Sequence, residues 1–177
     1  CATSESGLVG ADRKGVVCGG KFERMDVMLR DGYDLPRDVA AHLVHNYGTR
    51  ALQIAEIARS RPGYARPWDR DESLAAAASS SGGSGNSNGK GGCGGEARRL
   101  VRKYPFLDAE VAFAVEQEYA LTAVDVLARR TRLAFLDAEA ARQAAPRVID
   151  LMAGLLGWSR ARRRAEAAAV DEFLNTM

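Results

Sequence analysis

The chain has 177 residues, of which 46% are hydrophobic and 27% are charged, and its 25 basic and 23 acidic residues leave a net charge of +2. This length can bury one full hydrophobic core or two small ones. The charge balance excludes a chain dominated by a polybasic arm or an acidic tail, and no apolar run reaches the roughly 18 to 20 residues of a membrane-spanning helix. We therefore expect neither a transmembrane nor a targeting segment in this sequence.

A stretch of low complexity divides the chain into two helical parts. Ser79–Gly95 contains eight of the 18 glycines, together with five serines and no large apolar side chain. Such a segment cannot bury enough surface to offset its ordering entropy. We therefore predict a disordered Ser/Gly-rich insertion over residues 62–96 and a flexible N-terminal segment over residues 1–20.

Cysteine usage excludes one class of site. The three cysteines are Cys1, Cys18 and Cys93. They are odd in number and lack CxxC spacing, so neither a disulfide framework nor a thiolate metal site is expected.

Three helices are predicted in residues 21–61, the first helical part of the domain, because apolar residues recur there at helical spacing. We expect Gly32 to end the first helix and Pro36 to lie in the first turn of the second. Gly48 is expected to close the second helix and Thr49 to cap the third.

Residues 97–177 are predicted to be the second helical part of the same domain. One helix should bury an apolar stripe that contains Leu107, Val111 and Ala114. Caps are expected at three further helix starts: the capping box of Thr122 and Asp125, Asp137, and Ser159. Pro146 is expected to mark a kink or a new helix start. No convincing alternating strand is present, so the predicted fold class is all-α, a compact multi-helix bundle.

A glycine-rich motif precedes the first helix. Gly15–Lys21 matches GxxxxGK, but Phe22 stands where a phosphate-binding loop needs Ser or Thr to hold Mg²⁺. A helix of bundle type follows instead of a βαβ unit, so a structural Gly-Gly turn is favoured over phosphate binding.

The two histidines, His42 and His45, are three residues apart on one predicted helix. They could provide half of a metal site, but no third ligand is evident. Asp38 precedes His42 by one helical turn and is expected to form a surface pair with it. A solvated or interface role is favoured for both histidines.

A basic cluster begins the last predicted helix. It consists of Arg160, Arg162, Arg163 and Arg164, and it faces Glu166, Asp171 and Glu172. Nucleic-acid binding would need a broader basic face with aromatic side chains, so no nucleic-acid partner is expected. A solvated face or a contact with anionic lipid headgroups is favoured.

Four carboxylates have no paired base or metal partner in the sequence: Glu110, Glu116, Glu118 and Asp125. Asp125 and Arg129 are one helical turn apart, which favours a structural ion pair. No nucleophile–base pair, zinc spacing or dinucleotide fingerprint is present. We therefore predict no catalytic, cofactor-binding or metal-binding residue in this chain.

Several longer strings resemble one known family. They are Tyr104–Val111, Glu118–Leu136, Pro146–Val148 with Trp158, and in the first half Val39–Leu43 followed by Tyr47–Gly48. These strings resemble the C-terminal domain of FAD-dependent, mitochondrial-type glycerol-3-phosphate dehydrogenase. The resemblance covers residues 19–61 and 96–177, and the gapless string Glu118–Leu136 is its most specific part. The Ser/Gly-rich insertion stands where the family usually has a short connection.

The resemblance implies a parent enzyme that oxidises sn-glycerol 3-phosphate to dihydroxyacetone phosphate and passes electrons through FAD to quinone. FAD would be bound by an N-terminal domain that this sequence does not contain, and this chain would be a non-catalytic helical cap that packs on that domain. The parent would be a peripheral protein of the mitochondrial inner membrane, with a homodimer as a further implied partner. The alternative is a free-standing helical interaction module related to that domain.

The family signature also implies roles for particular residues. Six positions match it and are interpreted as a capping and ion-pair network between helices: Glu118, Thr122, Asp125, Arg129, Arg130 and Thr131. A charged interface to the FAD domain is the functional alternative for Arg130 and Arg132.

Overall fold

The computed structural model describes residues 21–61 and 98–176. Seven α-helices lie in these ranges: α1 Lys21–Tyr33, α2 Arg37–Tyr47, α3 Ala51–Ser60, α4 Asp108–Gln117, α5 Leu133–Leu136, α6 Ala138–Leu156 and α7 Arg160–Asn175. A 3₁₀ turn, Gly48–Arg50, precedes α3, and a π-helical segment, Asp125–Arg130, precedes α5. Apart from one isolated antiparallel bridge between Arg99 and Leu107, the described ranges contain no β-structure. The all-α prediction is confirmed.

Some predictions concern residues outside the described ranges. They are the flexible segment 1–20, the insertion 62–96, the glycines of the GxxxxGK motif, and Cys1, Cys18 and Cys93. For these features the sequence-based statements remain predictions.

Helix α4 lies between two hydrophobic clusters and joins the halves of the domain. Val111 and Ala114 belong to the cluster formed with α5, α6 and α7. Ala112 and Phe113 belong to the cluster formed with α1, α2 and α3. The first seven residues of α4 are buried on every side of the helix, so the polar Asp108 and Glu110 of its first turn are buried as well.

Local sequence signals set the ends of the later helices, and the predicted caps at Asp137 and Ser159 are confirmed. The Asp137 carboxylate accepts a hydrogen bond from the Ala140 backbone N–H at 3.0 Å and caps α6. The Ser159 hydroxyl accepts one from the Arg162 N–H at 3.2 Å and caps α7. Gly157, at φ 67°, closes α6 in the left-handed conformation that glycine adopts without strain.

Two helix-boundary predictions are wrong, and one of the two alternatives for Pro146 is excluded. Gly32 lies inside α1, and the left-handed residue beyond the helix is Asp34, at φ 53°. Thr49 lies within the 3₁₀ turn, so Arg50 occupies the position before α3 and makes no side-chain capping bond. Pro146 does not start a new helix, because it lies inside α6, a single helix of 19 residues. Pro146 is exposed, so water can pair with the carbonyl that the missing N–H leaves free.

Candidate interaction surface

A buried polar cluster joins α2 to the first turn of α4. The Glu110 carboxylate, 1% exposed, accepts hydrogen bonds from His42 Nε2 at 3.0 Å and from the Tyr47 hydroxyl at 2.8 Å. Its other oxygen accepts the Leu107 backbone N–H at 2.7 Å, which is otherwise one of the unpaired N–H groups at the start of α4. Asn46 donates to His42 Nδ1 at 2.9 Å, which leaves Nε2 as the nitrogen that donates to Glu110. We call His42, Tyr47 and Glu110 the polar cluster.

The side chains of the polar cluster bind one another. Burial, followed by the nearby Glu110 carboxylate, raises the pKa of the Tyr47 hydroxyl, so this group remains a donor. Each carboxylate oxygen of Glu110 is already occupied, and within the described ranges no group of three or more His, Cys, Asp or Glu side chains could hold a metal ion.

The predicted Asp38–His42 surface pair is wrong. His42 turns inward to Glu110, with a side chain only 9% exposed, whereas Asp38 pairs with Arg99 at 2.7 Å. His45 is exposed, as a solvated role requires. The His42–Glu110 contact spans 68 residues of sequence, so no local pattern indicated it.

A second buried carboxylate joins α4 to α6. Asp108 is fully buried, and its Oδ2 accepts hydrogen bonds from Arg147 Nε at 2.9 Å and Arg147 Nη2 at 2.6 Å. Burial raises the pKa of Asp108, while Arg147 opposes that rise. This pair and the polar cluster together attach α4 to both halves of the domain.

The carboxylates that lacked a partner in the sequence have partners in the structure. Besides Glu110, Glu116 pairs with Arg61 at 2.6 Å, and Glu118 lies 3.6 Å from Arg130 Nε. The predicted Asp125–Arg129 ion pair is confirmed at 2.6 Å.

The family signature forms the predicted capping and ion-pair network. The Asp125 carboxylate accepts the Thr122 N–H at 3.1 Å, and the Thr122 hydroxyl accepts the Asp125 N–H at 3.1 Å, which is a reciprocal capping box. Partial burial acts to raise the pKa of Asp125, but these hydrogen bonds and Arg129 lower it overall. The Thr131 hydroxyl donates to the Val126 carbonyl at 2.9 Å and fixes the end of the π-helical segment.

The same signature exposes apolar side chains to solvent. Four of the seven large exposed hydrophobic residues in the described ranges fall within it: Tyr119 at 88%, Leu121 at 64%, Phe135 at 65% and Leu136 at 62%. Arg130, the last residue of the π-helical segment, donates a hydrogen bond from Nη2 to the Glu118 carbonyl at 2.7 Å. This bond holds the end of that segment against the residue that follows α4. We call the four apolar residues together with the exposed Arg132 the signature surface.

The basic cluster of α7 divides into paired and unpaired arginines. Arg162 pairs with Glu166 at 2.6 Å, and Arg163 pairs with Asp150 at 3.2 Å. Glu166 is 4% exposed and also accepts the Ala123 N–H at 3.0 Å, so this carboxylate links the exposed Arg162 to the interior of the domain. In the described part of the chain, Arg160 and Arg164 have no ion-pair partner.

The described residues do not fit a dinucleotide cofactor. They contain no strand followed by a glycine-rich turn and a helix, which is the arrangement that binds the pyrophosphate of FAD. An open groove of about 390 Å³ lies between α6 and α7 and is lined by Arg142, Pro146, Ile149 and Arg163 among others. Among the described helices, none is long and apolar enough to cross a bilayer.

The fold is that of an all-α domain in which the buried carboxylates of Asp108 and Glu110 bind residues of neighbouring helices. The signature surface exposes apolar side chains and Arg132 to solvent. The sequence model of the family described as the C-terminal domain of alpha-glycerophosphate oxidase matches residues 1–163. The chain belongs to this family.

Named relatives agree with the family match. The chain is 33% identical over 177 residues to the probable mitochondrial glycerol-3-phosphate dehydrogenase of Dictyostelium discoideum, covering 100% of this chain and 22% of the relative. It is 34% identical over 148 residues to the mitochondrial glycerol-3-phosphate dehydrogenase of Mesocricetus auratus, covering 84% of this chain and 16% of the relative. The chain is also 34% identical over 137 residues to the mitochondrial glycerol-3-phosphate dehydrogenase of Arabidopsis thaliana, covering 77% of this chain and 16% of the relative. The chain thus spans about a fifth of these relatives. No solved structure matches.

Proposed function

We propose that this chain serves as the C-terminal helical domain of an FAD-dependent glycerol-3-phosphate dehydrogenase. The parent enzyme would oxidise sn-glycerol 3-phosphate to dihydroxyacetone phosphate and pass electrons through FAD to quinone at the mitochondrial inner membrane. The observation that carries the proposal is the family match, which extends over residues 1–163 and includes relatives of that name.

In this proposal the chain itself has a structural role. Both oxygens of Glu110 and one oxygen of Asp108 accept hydrogen bonds from within the domain, and the described residues do not fit FAD. FAD would be held by a separate domain of the same polypeptide, on which this domain packs, and Arg130 and Arg132 would contribute to that interface.

The test has two arms. The reading frame upstream of Cys1 should encode GxGxxG after a predicted strand, and the longer protein should carry flavin and reduce an electron-accepting dye when glycerol 3-phosphate is added. Residues 1–177 expressed alone should bind no flavin and reduce no dye. A frame without the fingerprint would instead support a free-standing interaction module, and a yellow, active preparation of 1–177 would show that the chemistry lies in this chain.

A further inference from the structure

The signature surface has the composition of a covered interface. Exposed apolar residues are ordinary when they are scattered singly, but contiguous ones mark contact sites. Tyr119, Leu121, Phe135 and Leu136 are each more than 60% exposed, and all lie within 18 residues of sequence, Tyr119–Leu136. The Arg130–Glu118 contact holds the residue before Tyr119 against the end of the π-helical segment, five residues before Phe135.

The backbone of this unit holds an unfavourable conformation. Tyr119 at φ 56° and Arg132 at φ 57° both adopt the left-handed region, which is unfavourable for a non-glycine residue. The Ala120 N–H bonds to the Ala114 carbonyl at 3.0 Å and fixes the turn that directs the Tyr119 side chain into solvent. An aromatic residue held outward at this cost contributes little to the domain's own core, so the arrangement points to a partner.

Chain length and charge indicate what that partner is. This chain covers 22% and 16% of two of its relatives, and the family is described as a C-terminal domain. Most of a relative's chain therefore precedes the region matched here. The insertion Ser79–Gly95 has no large apolar side chain and is poorly suited to cover an apolar surface. Arg132 is exposed and has no ion-pair partner among the described residues.

We propose that the signature surface is the contact through which this domain packs on the preceding FAD domain of the same polypeptide. The FAD domain places apolar side chains against Tyr119, Leu121, Phe135 and Leu136 and a carboxylate opposite Arg132. This proposal rests on the proposed function and specifies which face of the domain is used.

The experiment uses the full-length protein with its other cysteines replaced. Single cysteines are introduced by Leu121→Cys and Phe135→Cys, and as matched controls by Asp150→Cys, whose side chain is 63% exposed, and Met28→Cys, which is 58% exposed. Maleimide labelling should be about tenfold slower or more at positions 121 and 135 than at both controls, because a covered thiol reacts only on local opening. Equal rates at all positions would overturn the proposal.

Two further arms identify the covering partner. Protection that disappears on dilution would show that a second copy of the chain covers the surface. Protection that disappears when residues 79–95 are deleted would assign the cover to this chain itself. Either result overturns the assignment to the FAD domain, and protection that survives both supports it. A separate variant, Arg132→Gln, should speed labelling at Phe135→Cys several-fold, whereas Arg164→Gln should not.

Flavin absorbance and dye reduction are measured on the same samples. A labelled protein that carries flavin and is active but is unprotected at 121 and 135 would refute the assigned face and leave the proposed function intact. A protein without flavin would refute the proposed function, and the labelling rates would still report whether the face is covered.

Discussion

The polar cluster and the signature surface both place charged and aromatic residues beside helix ends, but their environments are opposite. In the polar cluster, Glu110 is 1% exposed and accepts three hydrogen bonds from within the domain. In the signature surface, Tyr119 is 88% exposed and Arg132 has no ion-pair partner among the described residues. The first region stabilises the fold, and the second is available to a partner. The two regions should therefore respond differently to substitution.

The largest expected effect lies in the polar cluster. Glu110→Ala removes the acceptor of His42, Tyr47 and the Leu107 N–H and leaves three buried donors unpaired. Each such donor costs roughly 1–3 kcal/mol, and we expect the free energy of unfolding to fall by about 3 kcal/mol. Urea unfolding of residues 1–177 measures this loss.

Glu116→Ala is the matched control on the same helix. Its ion pair with Arg61 is about one third exposed on both sides, at 35% and 33%, so the change should cost about 0–1 kcal/mol. If the two variants lost equal stability, the distinction between a buried cluster and a surface pair would fail.

The next largest effect concerns the capping box of the signature. Thr122→Ala removes the hydroxyl that accepts the Asp125 N–H and should lower the free energy of unfolding by about 0.5–2 kcal/mol. Thr122→Ser keeps that hydroxyl and should preserve most of the stability. An alanine variant as stable as the wild type would contradict a functional cap at this helix start.

These two sites differ in how far the sequence could predict them. The caps at Thr122, Asp137 and Ser159 each involve a backbone N–H three residues away, so residue type and spacing were sufficient. The Glu110 contacts span 63 and 68 residues and depend on how α2 meets α4. One local signal was present, since an acidic residue three positions after Leu107 in an otherwise apolar helix favours a bond to the N-terminal N–H.

The signature surface was predictable in part. The resemblance singled out Glu118–Leu136, and the predicted network within it is confirmed. The π-helical segment and the left-handed Tyr119 and Arg132 were not predicted, because no glycine or asparagine stands at these two positions to signal a left-handed residue. Exposure of the four apolar side chains follows from that backbone path, so it became visible only in the structure.

A smaller effect should appear in acid. The Lys103 ammonium, the Ala140 N–H and Tyr104 hold the pKa of Asp137 at about 2, below its usual 3.8. A carboxyl whose pKa is lower in the folded chain stabilises the fold above the unfolded pKa, and this contribution is lost as pH falls from about 4 to about 2.

Asp137→Asn keeps an effective cap but cannot titrate. The melting temperature of the variant should therefore fall less steeply with pH between about 4 and 2 than that of the wild type. Asp108, whose pKa is raised, acts with the opposite sign but is present in both proteins, so it cancels in the comparison. If the melting temperatures of the two proteins fell in parallel with pH, the Asp137 carboxylate would have no stabilising role.

The smallest effect on stability belongs to the signature surface. Leu121→Ser and Phe135→Ser remove apolar area that is already 64% and 65% exposed, so each should change the free energy of unfolding of residues 1–177 by less than about 0.5–1 kcal/mol. The Phe135→Ser variant should lie at the upper end of this range, because it also loses the edge-to-face contact with Phe173, whose ring centroid is 6.4 Å from that of Phe135. Urea unfolding measures both. If either serine variant destabilised the chain as much as Glu110→Ala, these side chains would belong to the domain's own core, and the contrast between the two regions would not hold.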